Sequence, residues 1–600
     1  MGDNMNIKLL LLFFLVLGFF ACQVSSASTY YVAKTGDDGN VGSEASPWLT
    51  IQKAANTSVA GDIIYVKNGT YIEWIRFPNS GSAGNYITFQ NYSTDIVTVK
   101  APNQFFQDAA PGVEGAHEDL GHIGNSLTHW HGNIEIINKS YIKIKGFKVT
   151  SNSDIWTGGW DGTRNEDNRP PYVFSVERSS HHIIIDGNVL DDIDASAISA
   201  GFYNITDNGG YNAWNIDFIN NYIDHKWFNS SSYEVISFDA VNYANVSNNY
   251  IANHSKGECI DLKDGTSNSI ISYNYVSNCQ RMGDAWWEDV APEWYASKWT
   301  NGYQQGIYVD SSYENLLGLE SNNISIFGNT LYRTQGIDVG SEEGNLVKDI
   351  NIYNNIIIES FSCVYLPPNS TDKAYGKNIS VYNNVCVNVH NTTRGYYTNG
   401  IPYFVTDNLY TNITFQNNIL YDSPSFSDYP YNEPSSNFKR YNNSWDLNIV
   451  QPQFTSPPIG ETVTTGNNRT TNTNSRRSVN LHLNSTSPAR MVGNSTGRLS
   501  STDIDGVSWE TPMSIGAYEY TPNLTISVPA WNVPGFNLWG GDIDLRENGV
   551  KNGSMYPTHL MIPIIKPSSP VSGSIYINQT THALNWFDDG LWYCVNITLV

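Results

Sequence analysis

The sequence predicts an all-β protein: a right-handed parallel β-helix with an N-terminal capping helix and a small C-terminal β-module. Three observations predict it. A strand-like pattern of alternating apolar residues recurs eight times, from IIIDGNVL (183–190) to ITFQNNIL (413–420). Each copy carries Asn at the same place: 188, 221, 249, 274, 329, 355, 384 and 418. The steps run from 25 to 34 residues, with one of 55 where an insertion sits. Period-two alternation indicates strands, and a repeat of this length in an all-β chain indicates a solenoid. Stacked coils would align the asparagines, each amide bonding the next.

The chain opens with Lys8, an apolar run from Leu9 to Ala21 and the small residues Ser25-Ser26-Ala27. This reads as a signal peptide over residues 1–27, with a retained anchor as the alternative. The run is short of the roughly 20 residues that a membrane-spanning helix needs. No later segment is long and apolar enough to span, so a secreted or surface-associated chain is expected. About twenty Asn-x-Ser/Thr sequons agree with export. Next comes SPWLTIQKAANTSVAGDIIYVKNGTYIE (46–73), in which a short helical pattern precedes two strands. A solenoid's first coil has an unpaired end, and a helix near Ile51 to Val59 is placed to cover it.

Asp and Glu total 57 against 33 Lys and Arg, a formal charge of −24. Phosphate recognition needs a basic footprint, so nucleic acid is excluded as an expected partner. Acidic exported proteins often bind Ca2+ through carboxylates. Cys259/Cys279 and Cys363/Cys386 are spaced to pair, as disulfides or as buried thiols. After Tyr520 the composition turns to Pro, Gly and Trp, so residues 28–520 are assigned to the β-helix and 521–600 to a separate β-module. Residues 451–500, rich in Thr, Asn and Ser, read as loops between the last coils. A monomer is expected.

A second set of strands supplies the candidate chemistry: EVISFDA (234–240), ECIDLKD (258–264), GIYVDSS (306–312) and GIDVGSE (336–342). With Ile236, Ile260, Ile307 and Ile337 as one inward column, the outward columns are Ser237-Asp261-Tyr308-Asp338 and Asp239-Lys263-Asp310-Gly340. Lys263 then lies between two aspartates, each about 4.8 Å away in strand spacing. A solvated salt-bridge ladder is the plain reading. The alternative is a catalytic site in which Asp239 and Asp310, two coils or about 9.6 Å apart, act as the carboxyl pair of an inverting glycosidase. The insertion RMGDAWWEDVAPEWYASKWTNGYQQ (281–305) contributes Arg281, Trp286, Trp287, Trp294 and Trp299, flat faces and a cation suited to sugar rings or to packing on the coil. A second long loop (153–172) is similar in kind. His117, Glu118, His122, His129 and His131 cluster in sequence with spacing too loose for a zinc motif.

The segments YYVAKTGDDGNVGSEASPWLTIQKAA and DIDGVSWETPMSIGAYEY resemble the entry and closing segments of secreted pectate-lyase-like β-helix proteins, including archaeal surface members related to disaggregatases. GECIDLKDG is similar to the Glu-x4-Lys element of the polysaccharide lyases that include chondroitinase B and β-helical alginate lyases. This resemblance implies Ca2+ bound by Glu258, with Asp261 and Asp239 as neighbouring oxygen ligands. It also implies Lys263 as the base that removes the C5 proton of a uronate. The expected partner is then an acidic or envelope polysaccharide. Lys256 replaces an acidic residue of that element, and the strand Gly306 to Ser311 lacks the family's Arg, with Arg281 and Arg333 as stand-ins. The superfold hosts many activities, so a hydrolase and a non-catalytic adhesin stand beside the lyase.

Overall fold

A computed structural model describes residues 27–100, 132–150, 172–191, 193, 196–201, 213–224, 234–252, 254, 257–281, 302–303, 305–311, 319–340, 346–366, 375–389, 401–405, 410–421, 438–456, 480–520, 575–578, 583–588 and 591–596. The strands stack into three parallel sheets of 13, 11 and 10 strands. One coil shows the plan. Val241–Ser247 joins the thirteen-stranded sheet, Tyr250–Ala252 the eleven-stranded and Ile260–Lys263 the ten-stranded. The chain then rises one level to Ser267–Ser272, beside Val241–Ser247. This is a right-handed parallel β-helix, as the repeat predicts.

The repeated Asn builds its corner. In each polar pair the first residue has a positive φ: 57° at Asn220, 56° at Asn248, 55° at Asn354, 53° at Asn383, and 68° at Gly328. That backbone region favours Gly and Asn, which is why the pair reads Asn-Asn or Gly-Asn. Tyr273, at 54°, is the exception. The second residue faces inward and is buried. Its Nδ2 donates to the Oδ1 of the next Asn at 2.9–3.2 Å, from Asn188 through Asn418. Its Oδ1 also accepts the backbone N–H of the Asn one coil earlier, as Asn274 does from Asn249 at 2.9 Å. A ninth member, Asn443, extends the predicted column, and its Nδ2 donates to Asp446 at 2.8 Å.

At the other end, the helix Ile51–Thr57 buries Ile51, Ala54 and Ala55. Thr50 Oγ1 accepts from the Lys53 N–H at 3.1 Å as N-cap, and the Glu73 carboxylate accepts the Ile51 and Gln52 N–H groups at 3.1 and 2.8 Å. These contacts satisfy donors that a helix start leaves open. Both cysteine pairs are disulfides, Cys259–Cys279 and Cys363–Cys386, with Cα separations of 6.1 and 6.0 Å.

The structure corrects the reading of residues 451–500 as loops between coils. Phe438–Tyr441 is the last strand of the thirteen-stranded stack, and the described residues from there to Tyr520 fold back along its outside. Phe454, Leu481, Leu483, Ala489, Ile515 and Ala517 cover Ile356, Ile358, Val385, Val387 and Ile419. Those outward residues of the eleven-stranded sheet are apolar and need a cover. Polar bonds fix the fold-back: the Nδ2 groups of Asn354 and Asn383 donate to the Thr502 and Gly516 carbonyls, each at 3.1 Å. Asp503 and Glu519 hold it from within. Asp503 accepts the Asp505, Val507 and Glu519 N–H groups, and Glu519 accepts those of Glu510 and Ser514. In the proposed C-terminal module, Ile575–Asn578, Ala583–Asp588 and Leu591–Asn596 form an antiparallel three-stranded sheet.

Asn274→Ala tests the ladder. It strips a hydrogen-bond partner from the Asn249 amide, the Val246 carbonyl and Asn329 together. At about 1–3 kcal/mol per orphaned buried group, a loss of roughly 3–6 kcal/mol is expected in denaturant unfolding.

Candidate functional site

The ten-stranded sheet carries the predicted columns in the predicted register. Ser237 pairs with Asp261, Asp261 with Tyr308 and Tyr308 with Asp338. Asp239 pairs with Lys263, and the Asp310 N–H donates to the Leu262 carbonyl at 3.2 Å, which sets Asp310 beside Lys263 on the far side. Ile236, Ile260, Ile307 and Ile337 are fully buried in the core, so their neighbours point away from it. The first outward column also runs back through Ser199, Ser175 and Glu135 to Arg76. There Arg76 Nε meets Glu135 Oε2 at 2.7 Å.

The outward face is not a solvated ladder. Asp239, Asp261, Asp310 and Asp338 are 6, 3, 3 and 1% exposed, so the plain reading of a surface salt-bridge row is corrected. Glu234, Glu258 and Lys263 are the partly exposed members. Lys263 Nζ donates to Glu234 Oε1 at 2.9 Å and lies 3.6 Å from Asp261 Oδ2 and 3.8 Å from Asp239 Oδ1. One ammonium therefore serves three carboxylates. Gly201 stands before Asp239 in the column, with φ +85°. A Cβ there would lie 1.9 Å from the Asp239 carbonyl oxygen, so only glycine leaves room for this strand.

Electrostatics separate the roles. Burial disfavours the Lys263 ammonium, but Asp239, Glu234, Asp261 and Asp310 outweigh it and hold the proton well above the ordinary lysine range. Burial pushes the Asp239 carboxyl up to about 7; Lys263 opposes this, while Asp264 and Glu234 add to it. Burial, then repulsion from Asp310, also raises Asp261 well above its ordinary value, against the pull of Lys263. The cluster thus pairs a fixed cation with Asp239 and Asp261, two carboxyls whose proton affinity is raised.

Glu258, Asp261 and Asp239 were expected to hold Ca2+. Among the described residues no three His, Cys, Asp or Glu side chains are grouped to hold a metal ion. The Lys263 ammonium lies where a cation would balance Asp239 and Asp261. This arrangement does not fit the ion while Lys263 is in place. Trp286, Trp287, Trp294, Trp299 and the His117–His131 cluster lie outside the described residues. Arg281 is on the short strand Gln280–Arg281, paired with Gly302–Tyr303. Arg333 Nε meets Glu359 Oε2 at 3.0 Å, on the turn that follows a strand of the eleven-stranded sheet, away from these columns. Sequence reasoning missed Glu234, although its place two residues before Ile236 was readable. It also missed the Arg76–Glu135 pair, 59 residues apart in sequence.

No protein-family model matches the chain. The uncharacterized protein YwoF of Bacillus subtilis (strain 168) is 33% identical over 79 residues, 13% of this chain. The match spans only 17% of that relative's length. Among solved structures, a GH136 lacto-N-biosidase from Eubacterium ramulus is similar at 11% identity, over 69% of this chain and 66% of that one, with a TM-score of 0.43. Pectate lyase Pel9A is similar at 14% identity, over 83% and 98% of the two chains, with a TM-score of 0.38. The PL6 family alginate lyase AlyGC is similar at 13% identity, over 65% and 49%, with a TM-score of 0.37. The reaction has to be read from this chain's own side chains.

Lys263→Met would leave buried carboxylates uncompensated, at a cost of about 3–5 kcal/mol near pH 8. Asp239 binds its proton more tightly folded (about 7) than unfolded (about 3.9). Its contribution to stability is complete below about pH 4 and is lost as pH rises through about 7. The Lys263→Met defect should therefore shrink toward pH 5 in melting curves. Calcium should stabilise this variant, by about 2.7 kcal/mol at a hundredfold excess over Kd, and leave the parent unchanged.

Proposed function

We propose that the protein is an exported polysaccharide hydrolase working by acid–base catalysis on the outer face of the ten-stranded sheet. The observation that carries this is Asp239, buried, raised to about 7 and two coils from Asp310 across an intervening ammonium. An acid–base enzyme needs titratable groups pushed apart in proton affinity. Asp239 has the proton affinity of a general acid for the leaving oxygen. Asp310 would be the base that takes a proton from attacking water. Their spacing of about 9.6 Å along the stack is close to the upper end of the separation typical of inverting enzymes, in which water attacks from the opposite face of the sugar. Glu234 fixes the Lys263 ammonium, whose charge would favour an ionised Asp310.

The lyase reading asks Lys263 to lose its proton, which its carboxylate neighbours oppose. It stays second, and calcium belongs to it rather than to the hydrolase. Two disulfides and the many sequons support export. Among the described residues, no helix is long and apolar enough to cross a membrane.

Reducing-end release from a polysaccharide panel tests the reading. Asp239→Asn and Asp310→Asn should each lower kcat by roughly 10²–10⁴-fold with little change in melting. In the parent, kcat/KM should fall as pH rises through about 7, because the acid must be protonated. Full activity in Asp239→Asn together with loss in Lys263→Ala, and products carrying the ultraviolet absorbance of unsaturated uronates, would establish the lyase instead.

A further inference from the structure

We infer that the site described above selects a glycan bearing ammonium groups, an amino-sugar polymer, and rejects uronate polymers. This deepens the proposed hydrolase reading and rests on it. Around Lys263 stand Glu234, Asp239, Glu258, Asp261 and Asp310, five carboxyl groups and one cation. The partly exposed members of this cluster are Glu234, Glu258 and Lys263, two acids and one ammonium that Glu234 already pairs. Among the described residues, a uronate would meet the Glu234 and Glu258 carboxylates with Lys263, already paired to Glu234, as the one cation beside them. The chain as a whole adds repulsion at −24.

A separate observation points to a donor missing from the site. Asp261 is 3% exposed, and its Oδ1 is buried with no hydrogen-bond partner, while Oδ2 faces Lys263. Along the same outward column, the Ser199 Oγ is also fully buried and without a partner. Buried acceptors are ordinarily matched, so such groups indicate a ligand that supplies N–H or O–H donors. An ammonium on a sugar ring supplies three and carries the complementary charge. A neutral sugar supplies hydroxyl donors without the charge, and a uronate brings the wrong sign.

Calorimetric titration of the full exported chain tests this with chitosan oligomers, polygalacturonate oligomers and neutral xylan oligomers. Chitosan should bind most tightly, and raising salt from about 20 to about 300 mM should weaken it at least 5-fold, as screening of exposed charge requires. Glu258→Gln should weaken chitosan binding roughly 3- to 10-fold and improve polygalacturonate binding. It should leave melting within a degree or two. Unchanged chitosan binding in Glu258→Gln would mark adsorption to the acidic surface at large and overturn the inference. Polygalacturonate or xylan binding as tightly as chitosan at low salt would overturn the amino-sugar assignment while leaving the hydrolase reading intact. Binding of none of the three would overturn the amino-sugar inference, and reducing-end release from the wider panel would then decide the hydrolase reading separately.

Discussion

The asparagine ladder is the constraint on which the rest depends. Each ladder amide bonds both backbone and side chain one coil away, so a coil cannot slide without breaking several buried bonds. Side chains alternate across a strand, so a one-residue slip would turn every core isoleucine outward. With the register pinned, Asp239, Lys263 and Asp310 are brought side by side although 24 and 47 residues separate them in sequence.

The charged columns show the opposite economy. Burying several carboxyls around one ammonium is a weak way to stabilise a fold, because desolvation offsets much of the attraction. Small hydrogen-bonded residues would pack the same sheet face at lower cost, as the buried Ser175, bonded to Glu177, does on an earlier coil. The sheet face nevertheless accumulates Asp239, Asp261, Asp310 and Asp338 on four successive coils, and burial raises the proton affinity of Asp239 and Asp261. The price is a local dependence of stability on pH and on Lys263.

Near its far end the solenoid is covered on one side by its own chain. A regular coil would present polar residues outward on the eleven-stranded sheet, yet Ile356, Ile358, Val385 and Val387 make both faces apolar. The fold-back through Tyr520 buries them, and the paired carboxylates Asp503 and Glu519 gather the backbone N–H groups of its turns. The helix covers the first coil, whereas the fold-back covers an apolar outer face, so the two shield different surfaces.

What the sequence determined by itself was periodic: the strand alternation, the Asn column, the inward isoleucines and therefore the neighbours of Lys263. Such features are local and repeat, so each copy reinforces the reading of the next. The opening helix was legible too, from its short apolar pattern between extended segments. Tertiary structure alone decided what lies over those columns and how much water reaches them. Burial turned an apparent surface ladder into a cluster that holds protons, and packing set the Glu234 carboxylate nearest the Lys263 ammonium. The Arg76–Glu135 pair and the course of the described residues between 443 and 520 were equally hidden, because they depend on contacts between segments far apart that share no repeat. A period specifies which residues are neighbours along the stack. Only the packed chain fixes the dielectric around them, and proton affinity follows from that.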